Sequence, residues 1–261
     1  MLELYHWEPN TFFLKPLIAL KEKQAEFSSR WFDPTKFEQF AQSFPANVES
    51  GLHLEREGPV LVNGGVIISS SFFMLEYIAE AVPGVVLNPG GATEHYQARA
   101  WGQFLGLSLG AGVSALGCAR YLAPVLRERD QEELKARVGR IEPQERRAAW
   151  AAVVDGAYDE KALAAIRQRL ESPVKRVEST LGEAAWLAGR DYSIADIDAF
   201  AMLNVLPELA PELVNGQVTP RILEFLGRMR ERRAVREALA LSRTGKPHEA
   251  FVPGAEPSRW G

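Results

Sequence analysis

Apolar positions change their period along the chain, and the change divides the sequence into two regions. Residues 2–6 (LELYH) and 27–32 (FSSRWF) alternate between apolar and polar as strands do, whereas residues 14–23 have a helical period. Residues 59–69 (PVLVNGGVIIS) predict two further strands around an Asn-Gly turn. The first region therefore begins as strand, helix, strand and continues with a hairpin.

A run of three serines, Ser69 to Ser71, predicts the N-cap of a helix that ends before Pro83. The order βαβ followed by ββα predicts a small mixed sheet covered by helices. Between the second and third strands, Asp33-Pro34 ends the strand, and residues 35–44 (TKFEQFAQSF) predict a short helix with Asp33 or Thr35 as its N-cap.

The second region has only helical periods. We predict a domain over residues 1–82, a Pro/Gly-rich linker over 83–92, an all-helical domain over 93–243 and an extended or disordered tail over 244–261. The predicted helices of the second domain are 93–126, 143–154, 158–183, 194–206, 219–230 and 233–242.

One folding signal in the second region is specific. Ser193 precedes Asp196 by three positions, and Tyr192 and Ile197 flank the pair. This spacing predicts a capping box with a hydrophobic staple, which nucleates a helix and carries no chemistry.

Composition excludes several classes of protein. The 261 residues carry a net charge of −4, with 46% hydrophobic and 25% charged residues, which is typical of a globular protein and not of a nucleic-acid binder. The single cysteine, Cys118, excludes an internal disulfide and fits a cytoplasmic location, and the four histidines lack metal-ligand spacing. Residues 100–119 are uncharged, but their five glycines favour a buried helix over a membrane span.

Several motifs together resemble those of the glutathione S-transferase superfamily, and within it the bacterial lignin β-etherases. The superfamily motifs are Gly58-Pro59-Val60-Leu61 with Asn63-Gly64, the Ser70-Ser71 pair and the capping box. The β-etherase motifs are LKPLIALKEKQAEF over 14–27, FDPTKFEQF over 32–40 and IEPQERRAAW over 141–150. The resemblance implies a thioredoxin-like α/β N-terminal domain and an all-α C-terminal domain. It also implies cleavage of aryl ethers by the thiolate of glutathione.

The resemblance implies a site that this sequence has partly lost. A thiolate at neutral pH needs a hydrogen-bond donor beside the sulfur, but Phe13 stands where the β-etherases have their active-site Ser. Asn10 and Thr11 are the remaining candidate donors.

The resemblance also implies how the rest of glutathione would be held. Pro59 and Val60 match the backbone anchor of the cysteinyl part, and Ser71 matches the serine that holds the γ-glutamyl carboxylate, but Ser70 replaces the acid that would hold the ammonium. The stretch before Pro59 carries Glu49, Glu55 and Glu57, which would repel the anionic tripeptide.

Two further sets of residues are candidates. The aromatic residues of the long helix could line a pocket for aromatic substrates, or simply pack in the core: Trp101, Phe104 and Tyr121. By the resemblance, dimerisation would use the predicted helices at about 71–82 and 93–126. The candidate contacts are Phe72, Phe73, Gly102 and Gly106.

We expect this chain to be a non-catalytic subunit of a glutathione-dependent β-etherase. It would dimerise with a homologue that keeps the active-site Ser and carries out the reaction. Two alternatives remain open. The chain is an active transferase with another donor, or it is a non-enzymatic binding protein that forms a homodimer. The expected small molecules are glutathione and lignin-derived aromatics, without a metal, nucleic acid or membrane.

Overall fold

The N-terminal region forms a four-stranded mixed sheet with two helices. The computed structural model describes residues 1–41, 44–45, 58–142 and 144–254. Its first elements are β1 (Leu2–His6), α1 (Thr11–Glu22), β2 (Ser28–Trp31), β3 (Val60–Asn63), β4 (Val66–Ile68) and α2 (Ser71–Ala81). The strand order is β2-β1-β3-β4, with β1 and β2 parallel and the other two pairs antiparallel. The predicted thioredoxin-like sheet is confirmed.

The segment after Pro34 departs from its prediction. Instead of one short α-helix, two 3₁₀ turns cover Pro34–Lys36 and Glu38–Phe40. Phe37 separates them in a left-handed conformation, with φ 62°, and a non-glycine residue there interrupts a right-handed helix. The N-cap is as predicted, because Asp33 accepts a hydrogen bond from the Thr35 N–H at 2.9 Å.

The second region is helical throughout, as predicted. Its elements are α3 (Ala92–Arg127), α4 (Gln131–Gly139), α5 (Gln144–Val154), α6 (Glu160–Glu183), α7 (Ile194–Leu203), α8 (Leu206–Leu209), α9 (Pro220–Glu231) and α10 (Arg233–Leu239). The patterns did not predict α4, in which charged residues outnumber apolar ones and leave only a faint apolar stripe.

The long helix α3 changes its winding twice. Residues Gly106–Gly110 and Cys118–Leu122 form π-helical turns within it. Among the described residues α3 is the one helix long and apolar enough to cross a membrane, and 61% of its most apolar window is buried within the protein. Such burial is typical of a core helix.

The capping box forms as predicted and is buried. The Asp196 carboxylate accepts from the backbone N–H of Ser193 at 2.9 Å and, with its other oxygen, from that of Leu187 at 2.9 Å. Burial raises the pKa of Asp196 to about 7 against the effect of these hydrogen bonds. The box thereby connects the start of α7 to the loop before it.

An ion pair joins the two regions beneath the start of α1. Lys15 Nζ lies 2.6 Å from Asp198 Oδ1, and the side chains are only 2% and 1% exposed. Lys15 also lies over the ring of Phe12, 5.3 Å from its centroid. The pair holds α1 of the sheet region against α7 of the helical region.

The end of the described chain returns to the sheet region. After α10, residues 242–254 pass a 3₁₀ turn at Pro247–Glu249 and continue without regular structure to Gly254. We call residues 242–254 the C-terminal strap. The strap crosses the start of α1, and its residues 250–253 are buried there.

Candidate functional site

The loop before α1 turns sharply into the helix. Thr11, the first residue of α1, has φ 40°, which non-glycine residues rarely adopt. Asn10 stands at the N-cap in an extended conformation, but its side chain does not cap the helix. The Asn10 amide instead donates to the carbonyl oxygen of Ala250 at 2.9 Å. Asn10 and Thr11 are each 2% exposed.

Phe13 lies in an apolar cluster of aromatic and aliphatic side chains. Its ring, 1% exposed, meets those of Trp7 and Phe32 edge-on, with centroids 6.3 and 5.8 Å away. The cluster is Trp7, Phe13, Phe32, Phe44, Val60, Ala250 and Val252. A thiol in these surroundings would have its pKa raised, because apolar groups desolvate the thiolate without offering a donor.

The predicted anchor for a cysteinyl backbone lies beside this cluster. Pro59 is buried and immediately precedes β3. Val60 pairs with Tyr5 across the antiparallel β1–β3 ladder, and its fully buried side chain faces Phe13 and its neighbours. The predicted acidic loop with Glu49, Glu55 and Glu57 lies outside the described residues.

The two serines before α2 differ in environment. Ser70 stands at the N-cap with φ 69° and makes no side-chain cap, whereas Ser71, the first helical residue, is buried. A non-glycine residue at such an angle costs about 1–3 kcal/mol. Neither serine carries the charge that an ammonium group would need.

Glu8 is a buried carboxylate that the sequence did not single out. It accepts hydrogen bonds from the Ser242 hydroxyl, from the Arg243 N–H at 2.9 Å and from the Thr244 hydroxyl at 3.0 Å. Burial opposes its ionisation, but these donors outweigh burial and hold the pKa of Glu8 below its ordinary value. Glu8 therefore fixes the start of the C-terminal strap as an anion.

The three aromatic residues predicted to line a pocket lie apart. Trp101 and Phe104 meet edge-on at 5.5 Å, and the Arg176 guanidinium lies 4.4 Å from the Phe104 centroid. Tyr121 follows Phe104 by about 25 Å along α3, at roughly 1.5 Å per residue. The structure therefore does not bring the three residues into one pocket.

Tyr121 instead contacts the C-terminal strap. The Phe251 ring stacks on the Tyr121 ring at 5.9 Å, with 6° between their planes. The Tyr121 hydroxyl donates to Glu208, and burial together with that carboxylate raises the pKa of Tyr121 to about 12. Its phenol is thus neutral and already bonded. Sequence analysis missed this contact, although Ala250 to Val252 form an apolar run within a polar tail.

The predicted dimer contacts divide into two pairs. Phe72 packs within the chain on Gly102, where a Cβ would lie 1.9 Å from the ring. Phe73, in contrast, is 60% exposed, and a Cβ added at Gly106 would meet nothing within 4 Å. Exposed Tyr96 lies on the same helix as Gly106.

Two surface cavities lie near these elements. One, of about 400 Å³, is lined by Tyr5, Ser29, Arg30, Trp31, Phe32, Glu38, Phe44 and Arg243. The other, of about 500 Å³, is lined by residues around Lys23 and Pro83. Neither is lined by Asn10, Phe13 or Ser71. Over the described residues, no cluster of three or more His, Cys, Asp or Glu side chains could hold a metal ion.

Comparisons with known proteins agree on the fold. Residues 1–80 match the family model of the glutathione S-transferase N-terminal domain, and residues 129–233 match that of the C-terminal domain. Protein LigF of Sphingobium sp. strain SYK-6 is 28% identical over 248 residues, which cover 93% of this chain and 94% of LigF.

Solved structures give the same result. The crystal structure of β-etherase LigF from that strain superposes with a TM-score of 0.84 at 27% identity, covering 92% of this chain and 99% of LigF. A glutathione transferase from Pseudomonas putida, with one glutathione disulfide bound per subunit, gives a TM-score of 0.69 at 19% identity, covering 92% and 91% of the two chains. At that identity the second likeness concerns the fold alone.

Proposed function

We propose, from the premise that this chain belongs to the glutathione S-transferase superfamily and is of the LigF-like type, that it is a subunit of a glutathione-dependent β-etherase. In the proposed reaction the glutathione thiolate attacks the β-carbon of a lignin-derived aryl ether ketone. A carbon–sulfur bond forms, the carbon–oxygen bond breaks, and the aryloxide leaves and takes up a proton. We assign this chain the role of a non-catalytic partner.

The observation that carries the proposal is the burial of Phe13. The activating donor would have to stand at this position, and a ring that is 1% exposed among other rings can neither donate a hydrogen bond nor admit water. Phe13, which replaces the donor, therefore belongs to a well-packed apolar cluster. This packing favours the interpretation that the chain has lost its thiol site.

The alternative donors do not replace it. The Asn10 amide already donates to Ala250, and both Asn10 and Thr11 are buried. The Tyr121 hydroxyl already donates its proton to Glu208 and has none to offer a thiolate. We therefore place the catalytic donor in the partner chain.

The proposed partner is a homologue of the same superfamily, and a second copy of this chain is the alternative. Exposed Phe73 and Tyr96 give the α2–α3 face apolar surface, and Gly106 leaves room for a close approach. Large exposed apolar side chains grouped on one face are typical of protein interfaces. Glutathione and the aromatic ether would bind to the site of the partner chain. We place the complex in the cytoplasm.

Calorimetric titration of the purified chain with glutathione tests the proposal directly. We expect no binding heat at millimolar glutathione. Binding in the micromolar range would contradict a lost site and would favour the active-transferase alternative.

Coexpression with transferase homologues from the same source tests the partnership. We expect one homologue to co-purify and to show β-etherase activity that Ser→Ala replacement of its own donor abolishes. If no homologue co-purifies and the chain is a homodimer, a non-enzymatic role is favoured instead.

A further inference from the structure

The C-terminal strap contacts the start of α1 as a bound peptide would. The Asn10 amide donates to the backbone carbonyl of Ala250 at 2.9 Å, and Ala250 and Val252 join Phe13 in its apolar cluster. By the resemblance, Phe13 stands where a donor to the glutathione sulfur would be, and Asn10, a candidate donor, precedes it by three residues. The strap therefore covers the thiol side of the site.

The Phe251 side chain fills the adjoining space on α3. It is 1% exposed, stacks on Tyr121 and lies so close to Gly117 that a Cβ there would be 2.1 Å from the ring. Gly117 thus provides a recess in α3 of the size of one ring. The recess lies directly before the π turn Cys118–Leu122 that carries Tyr121.

Polar contacts fix the strap at both ends. Glu8 holds Ser242, Arg243 and Thr244 at one end. At the other end, buried Arg146 donates to the Pro253 carbonyl at 3.3 Å, and Gly254 packs close to Ser114. A segment fixed on both sides of its buried ring has a defined position over the site.

We propose that the C-terminal strap is an internal ligand that closes this chain's own site. Residues 250–253 occupy the space between the start of α1 and α3, and so exclude both glutathione and an aromatic co-substrate. The inference rests on the proposed function, because it gives the degenerate site a second, independent block beside Phe13. Restoring a hydroxyl at position 13 is then insufficient while the strap is bound.

The contacts of the strap also indicate which kind of small molecule would bind in its place. The recess takes a flat ring, and Asn10 offers a donor to a carbonyl oxygen a few bonds away. A β-aryl ether ketone carries both groups. We therefore expect such a ketone to bind where Phe251 and Ala250 now lie, once the strap is removed.

Four chains separate the two blocks: the full-length chain, Phe13→Ser, a chain that ends at Glu249, and the combination of the last two. A chain that ends at Gly254 is the matched control, because it loses only residues beyond the strap. Each is titrated with glutathione by calorimetry after its fold is checked by circular dichroism. We expect the combined variant to bind at least tenfold more tightly than Phe13→Ser, and the control to behave as the full-length chain.

Equal binding by Phe13→Ser and the combined variant, at any level including none, would overturn the inference. Micromolar binding by the unaltered full-length chain would overturn the proposed function and the inference together. Equal binding by the two variants, with none by the full-length chain, would overturn the inference alone, so the two failures are distinguishable.

A milder variant with a different probe guards against a truncation that fails to fold. Phe251→Ala keeps the full chain and empties the recess, and 2-phenoxyacetophenone serves as the ketone. Saturation-transfer NMR should give at least tenfold tighter binding of the ketone to Phe251→Ala than to the unaltered chain. Binding that is equal in the two chains would show that the recess is not a closed ligand site.

Discussion

The side-chain amide of Asn10 donates a hydrogen bond to the carbonyl oxygen of Ala250, 240 residues later in the chain. Asn10 stands where a helix N-cap would normally bond to its own helix, so the contact with the strap replaces a local bond. The start of α1 is thereby stabilised by the far end of the protein.

Asn10→Ala should lower the free energy of unfolding by about 1–3 kcal/mol, because it leaves the buried Ala250 carbonyl without its donor. Urea denaturation followed by circular dichroism measures the change. Asn63→Ala is a suitable control, since Asn63 donates to the Tyr77 hydroxyl at a half-buried place and should cost less. Equal losses from both variants would contradict a special role for Asn10.

Gly117→Ala should destabilise the protein by roughly 1–3 kcal/mol, because the added methyl group overlaps the Phe251 ring. Gly227→Ala is the control, within helix α9, where nothing lies within 4 Å of the new Cβ. There alanine should stabilise by about 0.5–1 kcal/mol, since it restricts the unfolded chain and favours helix. Thermal unfolding of both variants gives the comparison.

The pairing can be tested by combining Gly117→Ala with Phe251→Ala. If the methyl group acts through the ring, the double variant should lose less stability than the sum of the two single losses. Strict additivity would mean that Gly117 matters for another reason.

Glu8 should make stability depend on pH. Its folded pKa is lowered, so the folded state binds fewer protons than the unfolded state as the carboxyl titrates. The stabilisation is therefore complete above the ordinary pKa of 4.5 and is lost as the pH falls through the folded pKa. Melting temperatures of the unaltered chain and Glu8→Gln should differ most at neutral pH and converge in acid.

Ser242→Ala refines this test. It removes one of the donors that lower the pKa of Glu8, so the acid loss of stability should begin at a higher pH than in the unaltered chain. A difference between the unaltered chain and Glu8→Gln that stays constant from neutral to acid pH would contradict the role of the Glu8 charge.

Lys15→Met should cost about 3–5 kcal/mol at neutral pH, because it leaves the Asp198 carboxylate buried without its cation. Burial already raises the pKa of Asp198 while Lys15 opposes the rise. In the variant, unfolding free energy should thus recover as the pH is lowered and the carboxyl takes up a proton. The double variant Lys15→Met/Asp198→Leu should regain most of the loss; no recovery would show that Lys15 acts mainly by packing.

The sheet and the helical region could be predicted from short-range patterns. Alternation in β1, the Asn-Gly turn between β3 and β4, and the Ser193–Asp196 box each depend on residues close in sequence. The helix expected after Pro34 was wrong, since its start signal was correct but Phe37 interrupts it in a left-handed conformation.

The site was less accessible to sequence reasoning. The replacement at Phe13 follows from the resemblance, but the partners of that ring come from several distant elements. The strap is the clearest case, because neither Glu8 nor Ala250 carries a local signal for a contact across most of the chain. Only the apolar run at 250–252 hinted that this tail is packed.

The distance between Asn10 and Ala250 along the chain also sets an order of events during synthesis. The sheet region is complete once residue 81 has been made, and it is able to begin folding as a unit. The residues that cover α1 follow last, on the order of ten seconds later at ordinary rates of translation. A newly made chain thus passes through a period in which the start of α1, not yet covered by the strap, is open to other molecules in the cell.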